Sequence, residues 1–177
     1  GVSVRARGGA DMTAAEWRES MPLYASACLL RGRAPYLNRA FFEQVAASLP
    51  EHVLVIIARH CGEAIASAIC FCSDDTLYGR YWGSAGQYHS LHFETCYYQG
   101  IEHCIDNDIA RFEPGTQGEH KISRGFAPTA TWSAHWLSPP RFAAAIDASP
   151  DREPVSTNDH IDAARNQAPF PRPTPVT

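Results

Sequence analysis

An α/β (α+β) fold, with a largely antiparallel central sheet flanked by helices, is what this sequence predicts, and three observations carry the prediction. Residues 52–60 (HVLVIIARH), 63–73 (EAIASAICFCS) and 76–82 (TLYGRYW) are rich in β-branched and aromatic side chains. Only the short turns Cys61-Gly62 and Asp74-Asp75 separate them, which makes them an antiparallel meander. Two capped helical stretches come before the meander. A strongly apolar helical stretch, residues 91–106, comes after it, with Phe93, Tyr97, Ile101, Cys104 and Ile105 at helical spacing.

In chain order, residues 2–7 (VSVRAR) alternate as a first strand that Gly8 and Gly9 end. Thr13-Ala-Ala-Glu16 has the form of a capping box, and Trp17, Met21, Tyr24 and Cys28 give the helix behind it an apolar face. Pro22 interrupts that pattern, removing a hydrogen bond, so a kink or break is expected there. Asn38 caps a second helix, with Phe41, Phe42, Val45 and Leu49 expected inward and Pro50 as its stop. The 83–90 loop leads into the central helix, followed by short strands at 109–113 and 129–137. Pro139 and Pro140 then open a last helix through Ala148. From Ser149 the composition shifts to proline and polar residues, which predicts an extended tail over 149–177 with a helical turn or two around 159–165.

At 177 residues the chain suits one domain with a tail. Its net charge of −4 disfavours a surface for duplex DNA. Six cysteines in apolar or helical settings, with no CxxC pair, read as reduced core residues of a soluble, cytoplasmic protein without disulfides. The longest apolar run, residues 53–58, is far short of the roughly 20 residues a bilayer span needs. The chain starts at Gly1 in what reads as a strand, so a preceding partner domain is expected.

Chemistry concentrates in residues 91–126. Glu94 lies on a helix that is apolar over most of its circumference, and a carboxylate in such a place is costly unless bonded, paired or protonated. A helix-start carboxylate helped by the dipole is the plainer reading. Glu113 ends the next strand, and a structural bond to the following glycine turn is an equal alternative to catalysis. Both glutamates are candidate proton acceptors, with His92 and His120 behind them; a lone histidine is more often a bonded structural residue. Lys121 and Arg124, in a glycine-flanked loop, are candidates for holding a substrate phosphate or carboxylate, against a reading as solvated charges. Gln117, Arg80 and Tyr98 complete the expected binding set. His92, Cys96 and His103 share a helix stripe, but ligands spread over three turns do not converge on one ion, so no metal is expected.

Four strings, PYLNRAFF (35–42), LYGRYWG (77–83), LHFETCYYQGIE (91–102) and GTQGEHKISRGF (115–126), together resemble the Fem-type (FemAB-like) branch of the GNAT superfamily of N-acyltransferases, a branch tied to peptidoglycan biosynthesis or recognition. The resemblance covers residues 1–148 and implies a GNAT-like mixed sheet, with this stretch as the second of two tandem GNAT-like units. It also implies transfer of an acyl or aminoacyl group to an amine, on a small-molecule or cell-wall precursor substrate. Residues 80–85 (RYWGSA) match in form the Q/R-x-x-G-x-G/A loop that holds CoA pyrophosphate in GNAT enzymes. Arg80 is nonetheless expected inside a strand, so acyl-CoA and aminoacyl-tRNA both stay open as donors. The Fem-type pattern places a lysine and a Gly-Phe pair at the acyl-transfer site, which Lys121 with Gly125-Phe126 resembles at wider spacing. The competing functions are a non-catalytic GNAT-like module that binds a cell-wall precursor or a partner protein, and a zinc-dependent hydrolase.

Overall fold

Consecutive residues Val55 and Ile56 are both 0 % exposed, although neighbours on a strand face opposite ways. Strand β2 (Val53–His60) is therefore covered on both faces, which is why it reads as an unbroken apolar run. In the computed structural model, which describes residues 1–115, 118–134, 136–147, 152–166 and 169, the chain divides into two units, Gly1–Gly115 and Thr116–Thr177.

The first unit holds a five-stranded sheet in the order β1-β2-β3-β4-β5, formed by β1 (Val2–Gly8), β2, β3 (Glu63–Cys72), β4 (Thr76–Ser84) and β5 (Arg111–Glu113). The first four strands are antiparallel and β5 joins β4 in parallel, so the sheet is mixed, as predicted. Cys61 and Gly62 both take positive φ, 51° and 90°, the requirement of a two-residue type I′ hairpin.

Helices α1 (Ala14–Leu30) and α2 (Arg39–Ser48) cover one face, where Trp17, Tyr24 and Phe42 pack on Val53, Val55, Ile57 and Ile69. Thr13 caps α1 through the expected box, its Oγ1 accepting from Glu16 N while the Glu16 carboxylate accepts from Thr13 N. Asn38 Oδ1 accepts from Phe41 N at 2.9 Å and starts α2. Two expectations fail in part here. The helix runs through Pro22 without a break, and Phe41 and Leu49 are 39 % and 47 % exposed rather than inward, because α2 buries only its Phe42 and Ala46 edge.

The other face carries the central helix, over Leu54, Ile56, Ala68, Cys70 and Leu77. It was expected as one regular α-helix over residues 91–106. Instead α3 (Leu91–Phe93) passes into a π-helical turn, Glu94–Tyr98, before α4 (Gln99–Asp106). Burial on more than one side does not hold either, since Tyr98 is 48 % and Ile105 72 % exposed.

In the second unit a 3-10 turn, Glu119–Arg124, is followed by helices α5 (Pro140–Asp147) and α6 (Arg152–Asn166). The strand expected at 129–137 is absent among the described residues of that stretch, and Trp132 and Trp136 stand exposed. Where an extended tail was expected, α6 forms a helix that buries Ile161 and Ala164. The apolar side chains three apart outweigh the proline content around them. Among the described residues, no helix is long and apolar enough to cross a membrane.

Candidate active site

The pairing of β4 with β5 stops after three residue pairs, Thr76 with Arg111, Leu77 with Phe112 and Tyr78 with Glu113. Pro114, which has no N–H to donate, follows at once. Strand β4 runs on to Ser84, so among the described residues no strand pairs with its outer edge from Gly79 onward. Along such an edge, alternate backbone N–H and C=O groups point away from β3, and at Gly79 the backbone of Glu113 and Pro114 still lies alongside.

A bulge re-phases the same strand. Ile69 pairs with Tyr81 and Cys70 with Gly79, which leaves Arg80 as the extra residue. Leu77 and Trp82, five apart, therefore both meet the central helix, whereas Tyr81 joins the core under α1 and α2. Arg80 is exposed, its guanidinium 5.8 Å from the Tyr81 ring centroid. Arg80 lies within a strand, as expected: residues 80–84, which match the CoA-type loop in form, belong to β4, and Gly83 is pressed against the backbone of α1.

Trp82 fixes the start of the central helix. Its Nε1 donates to Thr95 Oγ1 at 2.8 Å, and Thr95 Oγ1 donates to Leu91 O, also at 2.8 Å. His92 sits edge-on to Trp82, with centroids 4.8 Å apart, and to Tyr97 at 5.4 Å, so His92 belongs to an aromatic cluster. Gln99 N–H reaches back five residues to Glu94 O, and the wide turn stacks the two side chains. Gln99 Nε2 accordingly donates to Glu94 Oε1 at 3.0 Å and to Glu102 Oε2 at 3.2 Å. Glu94 is half-buried and accepts from the Gln99 amide.

Thr95 and Trp82 were not nominated from sequence. The usable signal was that a buried indole N–H needs an acceptor, and Thr95 is the polar residue on the helix face opposite. Replacing Thr95 by valine strands that N–H, and a loss of about 1–3 kcal/mol is expected in denaturant unfolding, with serine recovering most of it. Equal stability of valine and wild type would remove the anchor from the account.

Glu113 is exposed at the end of β5, and Tyr98 is exposed on the π turn. In the second unit, Arg124 Nη1 donates to His120 O at 2.6 Å and to Ser123 Oγ at 3.0 Å, so part of its fork closes its own turn. Lys121 lies in the same turn, half-buried, and His120 is exposed. Gln117 lies outside the described residues.

Burial pushes the Cys70 and Cys104 thiols up and Cys72 to about 11, which makes them poor nucleophiles. Burial also lowers the His103 imidazole, against the pull of Asp106. Among the described residues, no three His, Cys, Asp or Glu side chains group as a metal site, so His92, Cys96 and His103 do not form one.

The model of the FemAB-like family, described as peptidoglycan biosynthesis/recognition, matches residues 1–172. No curated protein matches the sequence. Among solved structures, one described as a probable acetyltransferase superposes with a TM-score of 0.56 at 8 % identity, over 77 % of this chain and 98 % of that one. AAC(6')-Iy in complex with a CoA-S-monomethyl-acetylneamine bisubstrate analog gives 0.54 at 12 % identity, over 78 % and 99 %. Glucosamine-6-phosphate N-acetyltransferase from Arabidopsis thaliana gives 0.52 at 8 %, over 77 % and 99 %. Identities this low speak for the fold alone. With a mixed five-stranded sheet and a family model spanning nearly its whole length, the chain belongs to the FemAB-like family and carries the GNAT fold.

Proposed function

We propose that this chain is an N-acyltransferase, moving an acyl or aminoacyl group from an activated donor to an amine. The observation that carries the reading is the outer edge of β4 beyond Tyr78, which no strand pairs among the described residues, on a strand whose Trp82 is tied to the helix turn that bears Glu94. A donor carbonyl laid along that edge accepts a backbone N–H where negative charge develops during attack. The amine nitrogen forms the new C–N bond, the bond from the acyl carbon to the donor's sulfur or oxygen breaks, and Glu94 takes the amine proton. The leaving group is then protonated, which balances the step. Glu113, at the end of β5, is the alternative acceptor of that proton. A small-molecule amine or cell-wall precursor is the proposed acceptor.

The donor is proposed to be an acyl-CoA or an aminoacyl-tRNA. The place of Gly83 against α1 weighs against a pyrophosphate cradle built from residues 80–85, and so favours the second donor or binding without transfer. The test is transfer by the full chain from labelled acetyl-CoA and from labelled aminoacyl-tRNA to a set of amines that includes muropeptide precursors. Turnover with either donor supports the reading. Saturable precursor binding with no transfer from either would replace it by a recognition module.

A further inference from the structure

A second polar site lies at the far edge of the sheet from β5. Directly opposite residues of an antiparallel pair share a face, and Arg7, Arg5 and Ser3 stand opposite Val55, Ile57 and Arg59. Val55 and Ile57 belong to the core under α1 and α2, so the three β1 residues and Arg59 face the α1 side. There the apolar row of β2 ends, and Ser3, Arg5, Arg7, Glu16, Ile57 and Arg59 line a cavity of about 180 Å³.

Its ion pairs leave one arginine out. Glu16 pairs with Arg7 at 3.3 Å and also accepts from both the N–H and the hydroxyl of Thr13. Glu19 pairs with Arg59, whose Nη1 donates to Gly62 O at 3.0 Å. Arg5 has no carboxylate within ion-pair distance among the described residues, whereas Arg7 pairs with Glu16 and Arg59 with Glu19, with Glu63 as a further acid acting on Arg59. Glu16 and Glu19 are themselves committed. Their bonds to Thr13 and Arg59 hold them in place, and they orient Arg7 and Arg59 beside the unpaired Arg5.

We propose that this cleft binds a small tetrahedral oxyanion, phosphate or the phosphate of a small monoester. The Arg5 fork would supply the main contact, with Arg7 and the Ser3 hydroxyl as further donors. Arginine presents planar paired donors that match phosphate oxygens, and a serine hydroxyl adds another. The volume is below the roughly 300–1,000 Å³ of sites for drug-sized ligands, which limits the occupant to a group of this size. Three strand spacings, on the order of 14 Å, separate β1 from β4, and the cleft opens on the face opposite the central helix. The proposal is therefore independent of the transfer reaction.

The test follows the arginine side-chain N–H signals of the full chain by NMR while inorganic phosphate is added at constant ionic strength, with acetate as a parallel titration. Saturable shifts at Arg5 and Arg7 are expected with phosphate, with at least ten-fold weaker binding in Arg5→Gln and unchanged binding in Arg33→Gln. Arg5 is exposed, so its loss leaves the fold intact. Shifts that grow linearly without saturation, or equal affinity in Arg5→Gln, would overturn the site. Acetate binding as tightly as phosphate would overturn the choice of ligand.

Discussion

Gly83→Ala is expected to destabilise the first unit by about 3 kcal/mol or more, the upper range for forcing an extra methyl into a packed interior. A Cβ built on Gly83 falls 1.8 Å from Leu23 O and 2.4 Å from Leu23 C, both backbone atoms of α1. No rotamer change relieves such a contact; α1 and β4 have to part. That movement disturbs the Ser26 hydroxyl, which donates to Leu23 O at 2.7 Å and lies 3.3 Å from Ser84 O. It also disturbs Tyr24, packed edge-on to Tyr81 at 5.1 Å. For a chain of this size the melting temperature should fall by about 6–12 °C. Gly86→Ala is the control, since its Cβ meets nothing closer than Tyr88 Cε2 at 3.6 Å and should change stability by no more than about 0.5 kcal/mol. If the two variants melted alike, the close approach of α1 to β4 would be wrong.

The same glycine shows where sequence reading succeeds and where it stops. The capping box at Thr13, the cap at Asn38 and the turn at Cys61-Gly62 were legible because each depends on atoms within a few residues. The order of strands followed from those signals and from the ordered strings shared with the family. The spacing around Gly83 matches a phosphate-binding loop in form only, whereas its lack of a side chain serves a helix more than 50 residues away. The bulge at Arg80 and the π turn at Glu94–Tyr98 were likewise hidden, since each exists to satisfy tertiary contacts: the two faces of β4 in one case, the Trp82 to Thr95 bond in the other. Residues 129–137 show the opposite error. Their aromatic residues and threonines suit a strand, but a strand also needs a neighbouring edge, which local composition does not supply.

Glu94→Gln is expected to lower kcat/KM for acyl transfer by about 100- to 10,000-fold, the usual contribution of a positioned proton acceptor. The substitution separates catalysis from architecture because of what Glu94 already does. Its Oε1 accepts from the Gln99 amide, and the oxygen of a new amide accepts in the same way. The wide turn, closed by Gln99 N–H to Glu94 O through the backbone, does not depend on the side chain. Stability should therefore change by less than about 1 kcal/mol, as is common for substitutions that keep their bonds. What disappears is the capacity to take a proton, and with it the step that frees the attacking amine from its positive charge. Because transition-state stabilisation is lost and donor binding is not, the fall should appear in kcat with KM little changed. Glu113→Gln, made in parallel, tests the exposed carboxylate at the end of β5. A full rate in Glu94→Gln with a collapse in Glu113→Gln would move the proton to the strand end, and full rates in both would leave transfer on this chain to positioning by the β4 edge alone.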